Sequence, residues 1–330
     1  MRPRTPLWWR SVVLAVTLTA SVWVWAQPQG WVINSRDYLS EEDQIGALWE
    51  LDLASGDARL EDRSRIQQFL DIEGLSFSLD RQLYGIDDDT NTLIRIGTSS
   101  GNAIAVNQEM GNLGLPSGNH DFGMTFTCEG RLLISTDSES LGLSLYEADP
   151  ETGQTERIGD LGAPIVDMTS LGNHVYGIGR GMATDANGAA PNLYRIDTAT
   201  GRAELVGALG EEAGLYNKAG LAADSDGTLW AVTDRRQQSD RDSSRSSQVL
   251  RIDPATGQAE RVADVSSTDD GGSLIGLESL AIAPPDDCGR GALAGTGAIP
   301  VPVLSAPALW TLVLLVLALA AVPLRRLGAN

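Results

Sequence analysis

Apolar positions in this chain fall in short runs broken by turn residues, with no stretch between the two ends that sustains a helical period. Runs at 83–86, 132–135, 175–178 and 229–232 are β-prone. Each follows, across a tight turn, a run of small and apolar residues at 74–77, 123–126, 167–170 and 220–223. After each pair comes a phrase that reads strand, turn, strand: NLYRIDTATG at 192–201, SLYEADPETG at 144–153, QVLRIDPATG at 248–257 and the degenerate TLIRIGTSSG at 92–101. A further copy, ALWELDLASG at 47–56, precedes them all. The turn glycines 56, 101, 153, 201 and 257 are spaced by 45, 52, 48 and 56 residues. That is the period of propeller blades.

The count of strands also predicts how the ring closes. A fifth opening strand at 276–282 has nothing after it to pair with, while the strand at 31–34 and the phrase at 47–60 lack an opening strand. The sequence therefore predicts an all-β fold, a five-bladed β-propeller closed by N- and C-terminal strands in one shared blade. Closure removes the exposed strand edges that an open array would carry. Packing on both faces of every blade explains why the inner strands lack polar alternation. The phrase Leu-Tyr-x-Ile-Asp-x-x-Thr-Gly is similar to the hairpins of secreted quinoprotein-type and NHL-type propellers. That resemblance implies a fold and specifies no activity.

The two ends carry different signals. Arg2, Arg4 and Arg10 precede an uncharged apolar run at 11–25, and Val24-Trp-Ala26 suits a cleavage site, so 1–26 reads as a signal peptide; an uncleaved anchor is the alternative. The propeller domain is expected over 27–288 and a linker over 289–305. Residues 306–324 form an apolar stretch of membrane-spanning length, and Arg325 and Arg326 open a basic cytoplasmic tail at 325–330. Before that stretch stand Val301, Pro302, Val303, Leu304 and Ser305, with Trp310 following. This arrangement resembles the IPTL-CTERM sorting signal of Gram-negative bacteria, with valines for its Ile and Thr and Trp310-Thr311 where that signal has Trp-Gly. The resemblance implies export, transient anchoring in the inner membrane, and recognition by an exosortase-type transpeptidase. A plain membrane anchor is the other reading of the same segment.

Charge narrows the partners. With the terminal segments set aside, 19 basic residues face 44 acidic ones, a balance of −25. Such a surface repels nucleic acid and anionic headgroups. Lys218 is the only lysine, which by itself reads as a compositional bias towards Arg. Cys128 and Cys288 are an even pair suited to an oxidising compartment, either bridged or as two inert thiols.

Loop lengths single out one face. Turns at 79–82, 127–130, 171–174 and 224–227 are short, whereas 35–46, 105–121, 180–191, 234–247 and 265–273 are long, and the two classes fall at opposite ends of a meander. Binding usually resides on elaborated loops over a rigid ring. Asp88, Asp137 and Asp234 end the second strand of three blades, with Arg180 at that place in another. Asp71, Glu73, His120, Asp121, Asn217 and Lys218 lead into the central strands. Glu278 is aligned here with Ser76, Thr125, Thr169 and Ala222, a column expected to line the axis. These carboxylates can hold Ca²⁺, or simply end strands by turn hydrogen bonding. One histidine without a paired nucleophile makes no triad, and no Gly-x-Ser-x-Gly elbow is present. The residues favour a module that binds a protein or glycan; the alternative is a metal-assisted hydrolase or lyase using the axial carboxylates.

Overall fold

The structure, a computed structural model, describes residues 28–34, 45–61, 68–116, 118, 120–138, 140–181, 191–235 and 245–282. The expected signal peptide, sorting motif, terminal apolar stretch, Cys288 and the tips of three long loops lie outside these residues. Among the described residues no helix is long and apolar enough to cross a membrane, and no cysteine is free.

The chain opens with β1 (Gln29–Ile33), β2 (Leu48–Asp52) and β3 (Asp57–Leu60). Blade 1 follows as β4 (Ile72–Phe77), β5 (Leu83–Asp87), β6 (Thr92–Ile96) and β7 (Ala103–Ala105). Blade 2 is β8 (Asp121–Phe126), β9 (Leu132–Ser138), β10 (Gly142–Ala148) and β11 (Thr155–Asp160). Blade 3 is β12 (Ile165–Leu171), β13 (His174–Gly179), β14 (Asn192–Ile196) and β15 (Ala203–Ala208). Blade 4 is β16 (Ala219–Ala223), β17 (Leu229–Thr233), β18 (Gln248–Ile252) and β19 (Ala259–Asp264), and the chain ends in β20 (Ser266–Ser267) and β21 (Ala281–Ile282). All four blades are antiparallel meanders in chain order. The five phrase glycines adopt φ between +63° and +83°, the left-handed turn their position required.

Closure follows the expected plan, with two differences. The shared blade runs β20-β3-β2-β1-β21, with Trp31 opposite Ala281 and Gly30 opposite Ile282. The first difference is β20, an unexpected fifth strand that lies parallel to β3. The second is that the opening strand at 276–282 is broken. Gly276 sits at φ +73°, Leu277 makes an isolated bridge with Asn34, and residues 278–280 leave the ladder. The register expected for Glu278 is thereby corrected. Ala281, not Glu278, joins Ser76, Thr125, Thr169 and Ala222 around a small axial cavity of about 20 Å³.

The core lies between blades. Leu133 and Leu145 of blade 2 meet Ile165 and Val175 of blade 3. Trp49 and Leu51 of the closing blade meet Val232 and Val249 of blade 4. The hairpins of blades 3 and 4 also dock on the preceding blade: Ala203 N–H donates to Leu161 O at 3.0 Å and Ala259 N–H to Leu209 O at 2.9 Å. Glycines make the approach possible. A Cβ at Gly159 would overlap the Thr200 carbonyl oxygen of the next hairpin. Gly159→Ala is therefore expected to cost about 1–3 kcal/mol in urea unfolding, since backbone rather than a side chain must give way; an unchanged midpoint would contradict this docking.

Candidate functional site

The long-loop end of the axis collects ionisable side chains from every blade. The pairing explains why they meet. Asp88 N–H donates to Asp71 O, Asp137 pairs with Asp121, Arg180 N–H donates to Pro164 O, and Asp234 N–H donates to Lys218 O. Asp88, Asp137, Arg180 and Asp234 thus occupy one tier at the ends of the second strands of four blades. That tier was readable from strand ends. The expectation of long connections after every second strand is corrected for blades 1 and 2, which pass from second to third strand in a few residues; only β13 to β14, β17 to β18 and β1 to β2 are widely separated in the chain.

Two cations organise the centre. The ammonium of Lys218 is buried and pairs with Glu73 Oε1 and, at 2.6 Å, with Asp121 Oδ1; Glu278 Oε2 lies 3.9 Å away. Arg180 pairs with Asp121 Oδ2 and reaches Asp137 Oδ2 at 3.3 Å. Asp121 is therefore shared between an ammonium from blade 4 and a guanidinium from blade 3. A compact ammonium can sit among carboxylates from three blades where a planar fork would not fit. The single lysine of the chain stands at this centre.

The other expected ligands have different work. Asp88 Oδ1 accepts from His120 N–H at 2.8 Å, and Asp234 Oδ1 accepts from Asn217 N–H at 2.9 Å. Both tie a strand end to the approach of a neighbouring central strand. His120 is buried: Nε2 donates to Pro116 O at 2.8 Å, and Nδ1 lies 3.0 Å from Ser138 Oγ. The serine partner, absent from the sequence reading, also accepts from Leu141 N–H, which fits a lock on the loop better than a poised nucleophile.

Asp71, Glu73 and Glu278 form a tighter group, one oxygen of each lying within 4.8 Å of the others. Burial pushes the Glu73 carboxyl up to about 7 against the pull of Lys218. Burial likewise raises Asp88 to about 7, opposed by the His120 N–H, and raises Glu278 well above the usual carboxylate range. The arrangement can bind cationic groups, hold a hard metal ion, or retain protons near neutrality.

One residue of the axis was not singled out by the sequence. Asp167 takes the place in β12 that Gly74, Gly123 and Gly220 take in the other opening strands. Its Oδ1 accepts from Met168 N–H at 2.8 Å and Met124 N–H at 3.2 Å, and Oδ2 accepts from Leu221 N–H at 2.7 Å. One fully buried carboxylate thus bridges blades 2, 3 and 4. The signal was present in the sequence as an acid in a column of glycines.

A family model described as a repeat of unknown function (DUF6923) matches residues 75–220. No sequence among the curated proteins matches the chain. Among solved structures, a virginiamycin B lyase from Staphylococcus aureus, solved with quinupristin, aligns at 15% identity and a TM-score of 0.38, covering 71% of this chain and 70% of the lyase. A gluconolactonase from Xanthomonas campestris aligns at 14% identity and 0.39, covering 74% and 84%. Kuenenia stuttgartiensis hydrazine synthase aligns at 16% and 0.36, and there the chain spans 48% of its counterpart against 58% of itself. At these scores the likeness carries no argument about chemistry.

Proposed function

We propose that this chain is an exported propeller that binds a protein or glycan partner through its long-loop face. The observation that carries the reading is the convergence of ten ionisable side chains, contributed by all five blades, at that end of the axis. The opposite end presents plain turns over a cavity lined by small and apolar residues. Asp224 illustrates those turns, being spent on Asp226 N–H, Thr228 N–H and Trp230 Nε1. The terminal segments and the acidic balance support export as part of the same reading.

Photo-crosslinking on producing cells tests it. A photoreactive residue at exposed Asp89 or Glu211, on the long-loop face, is expected to give partner adducts, and one at exposed Glu129 or Asp226 is not. Adducts confined to the short-turn face, or none at any position, would overturn the reading. A second reading, a metal-assisted hydrolase or lyase, is favoured by the closeness of Asp71, Glu73 and Glu278; there one carboxylate would serve as general base.

A further inference from the structure

We infer that Asp71, Glu73 and Glu278 form a calcium site at the long-loop mouth of the axis, with Lys218 as its neighbouring cation. The inference is independent of whether the long-loop face binds a partner.

Geometry supplies the first reason. Three oxygens within 4.8 Å of one another leave a point no more than about 2.8 Å from each, and a small contraction brings all three to calcium–oxygen distances of roughly 2.3–2.6 Å. The ligands also come from two elements, β4 with the residue before it and the broken segment ahead of β21, that meet only when the ring is closed.

Glu278 supplies the second and independent reason. Its side chain is 1% exposed, and neither carboxylate oxygen has a hydrogen-bond donor among the described residues. Lys218 is 3.9 Å away and committed to Glu73 and Asp121 at shorter range. A buried carboxylate without hydrogen-bond donors has lost its hydration, and one ammonium 3.9 Å away, shared with two nearer carboxylates, offsets little of that loss. The break in the strand at residues 278–280 frees Glu278 from the ladder that places its neighbours.

Donor chemistry selects the ion. Three carboxylates with no sulfur or imidazole in the group suit a hard cation. Calcium accepts six to eight oxygens in a flexible set, whereas magnesium demands near-ideal octahedral geometry and gives up water reluctantly. Three ligand charges against a divalent ion leave one negative charge, and the Lys218 ammonium beside Glu73 offsets it.

The test uses the full-length protein in mild detergent, stripped with chelator and titrated with calcium chloride at neutral pH by calorimetry and atomic spectroscopy. The expected result is saturable binding of one Ca²⁺ per chain and a thermal midpoint that rises with calcium. Glu278→Gln is expected to weaken binding by at least about tenfold, while Asp226→Asn on the opposite face leaves it unchanged. The order of stabilities should also cross. In chelator the neutral isostere at 278 is at least as stable as the wild type, and in calcium it is less stable. If that variant fails to fold, Asp71→Asn gives the same readouts. No saturable binding at millimolar calcium chloride, or equal affinity in the wild type and the variant, would overturn the site, and protonation alone would then be the means by which Glu278 is accommodated.

Discussion

Asp167→Ala is expected to destabilise the propeller by about 3–5 kcal/mol, one of the largest losses a single side chain of this protein can produce. Truncation strands three buried N–H groups, of Met124, Met168 and Leu221, in three different blades. The inner strands are in direct backbone contact at this point: a Cβ at Gly123 would meet Asp167 Cα. Asp167→Asn keeps one acceptor but turns an NH₂ towards an N–H, so it should recover only part of the loss. The pH dependence has a definite sign. Burial raises the Asp167 carboxyl well above its unfolded value of 3.8, against the pull of the three donors. The folded state then binds more protons than the unfolded state as pH rises from 3.8 towards the folded pKa, and stability contributed by this group falls across that window. Urea titrations at several pH values should show a shallower slope in Asp167→Asn than in the wild type, the remainder coming from the raised Glu73, Asp88 and Glu278 carboxyls. A midpoint for Asp167→Ala equal to wild type would remove the carboxylate from its bridging role.

Deleting residues 28–60 from the otherwise complete chain should abolish cooperative unfolding altogether. The deletion takes β1 from β21 and β3 from β20, leaving an unpaired edge at each place. It also removes Val32, Trp49, Leu51 and Leu53 from the cluster shared with blade 4, and Ile33 and Leu48 from the cluster shared with blade 1. Six fully or nearly fully buried side chains, each worth about 1.5–3 kcal/mol, are together comparable to the whole stability of roughly 5–15 kcal/mol typical of a domain. Near-ultraviolet circular dichroism and a urea titration decide the matter: a soluble deletion variant with one sharp transition would show that four blades stand without closure.

The ring was legible in the sequence because its signals are local. Turn glycines, two short strands and a hairpin phrase recur within each blade, and the mismatch between the two ends announced the shared blade. The tier of Asp88, Asp137, Arg180 and Asp234 was legible for the same reason, since strand ends can be aligned by eye. What lay between blades was not. That Arg180 of blade 3 would reach Asp121 and Asp137 of blade 2 depends on interblade distance, which periodicity does not encode. Glu278 was placed in the wrong column because a regular strand was assumed through 276–282, where the left-handed Gly276 begins a break. Lys218 looked like a compositional accident until three carboxylates were found around it.

The carboxylate of Asp167 also makes the five blades non-interchangeable. Three of the other opening strands carry glycine at its place, and the N–H groups that serve this acid come from two of them, at Met124 and Leu221. A copy of blade 3 inserted beside itself would bring two buried carboxylates together with too few donors to serve both. A ring of repeats would otherwise be free to gain or lose a unit by duplication. Here the central acid gives the circle a fixed origin, so that changing the number of units requires rewriting the axis as well as adding a wedge.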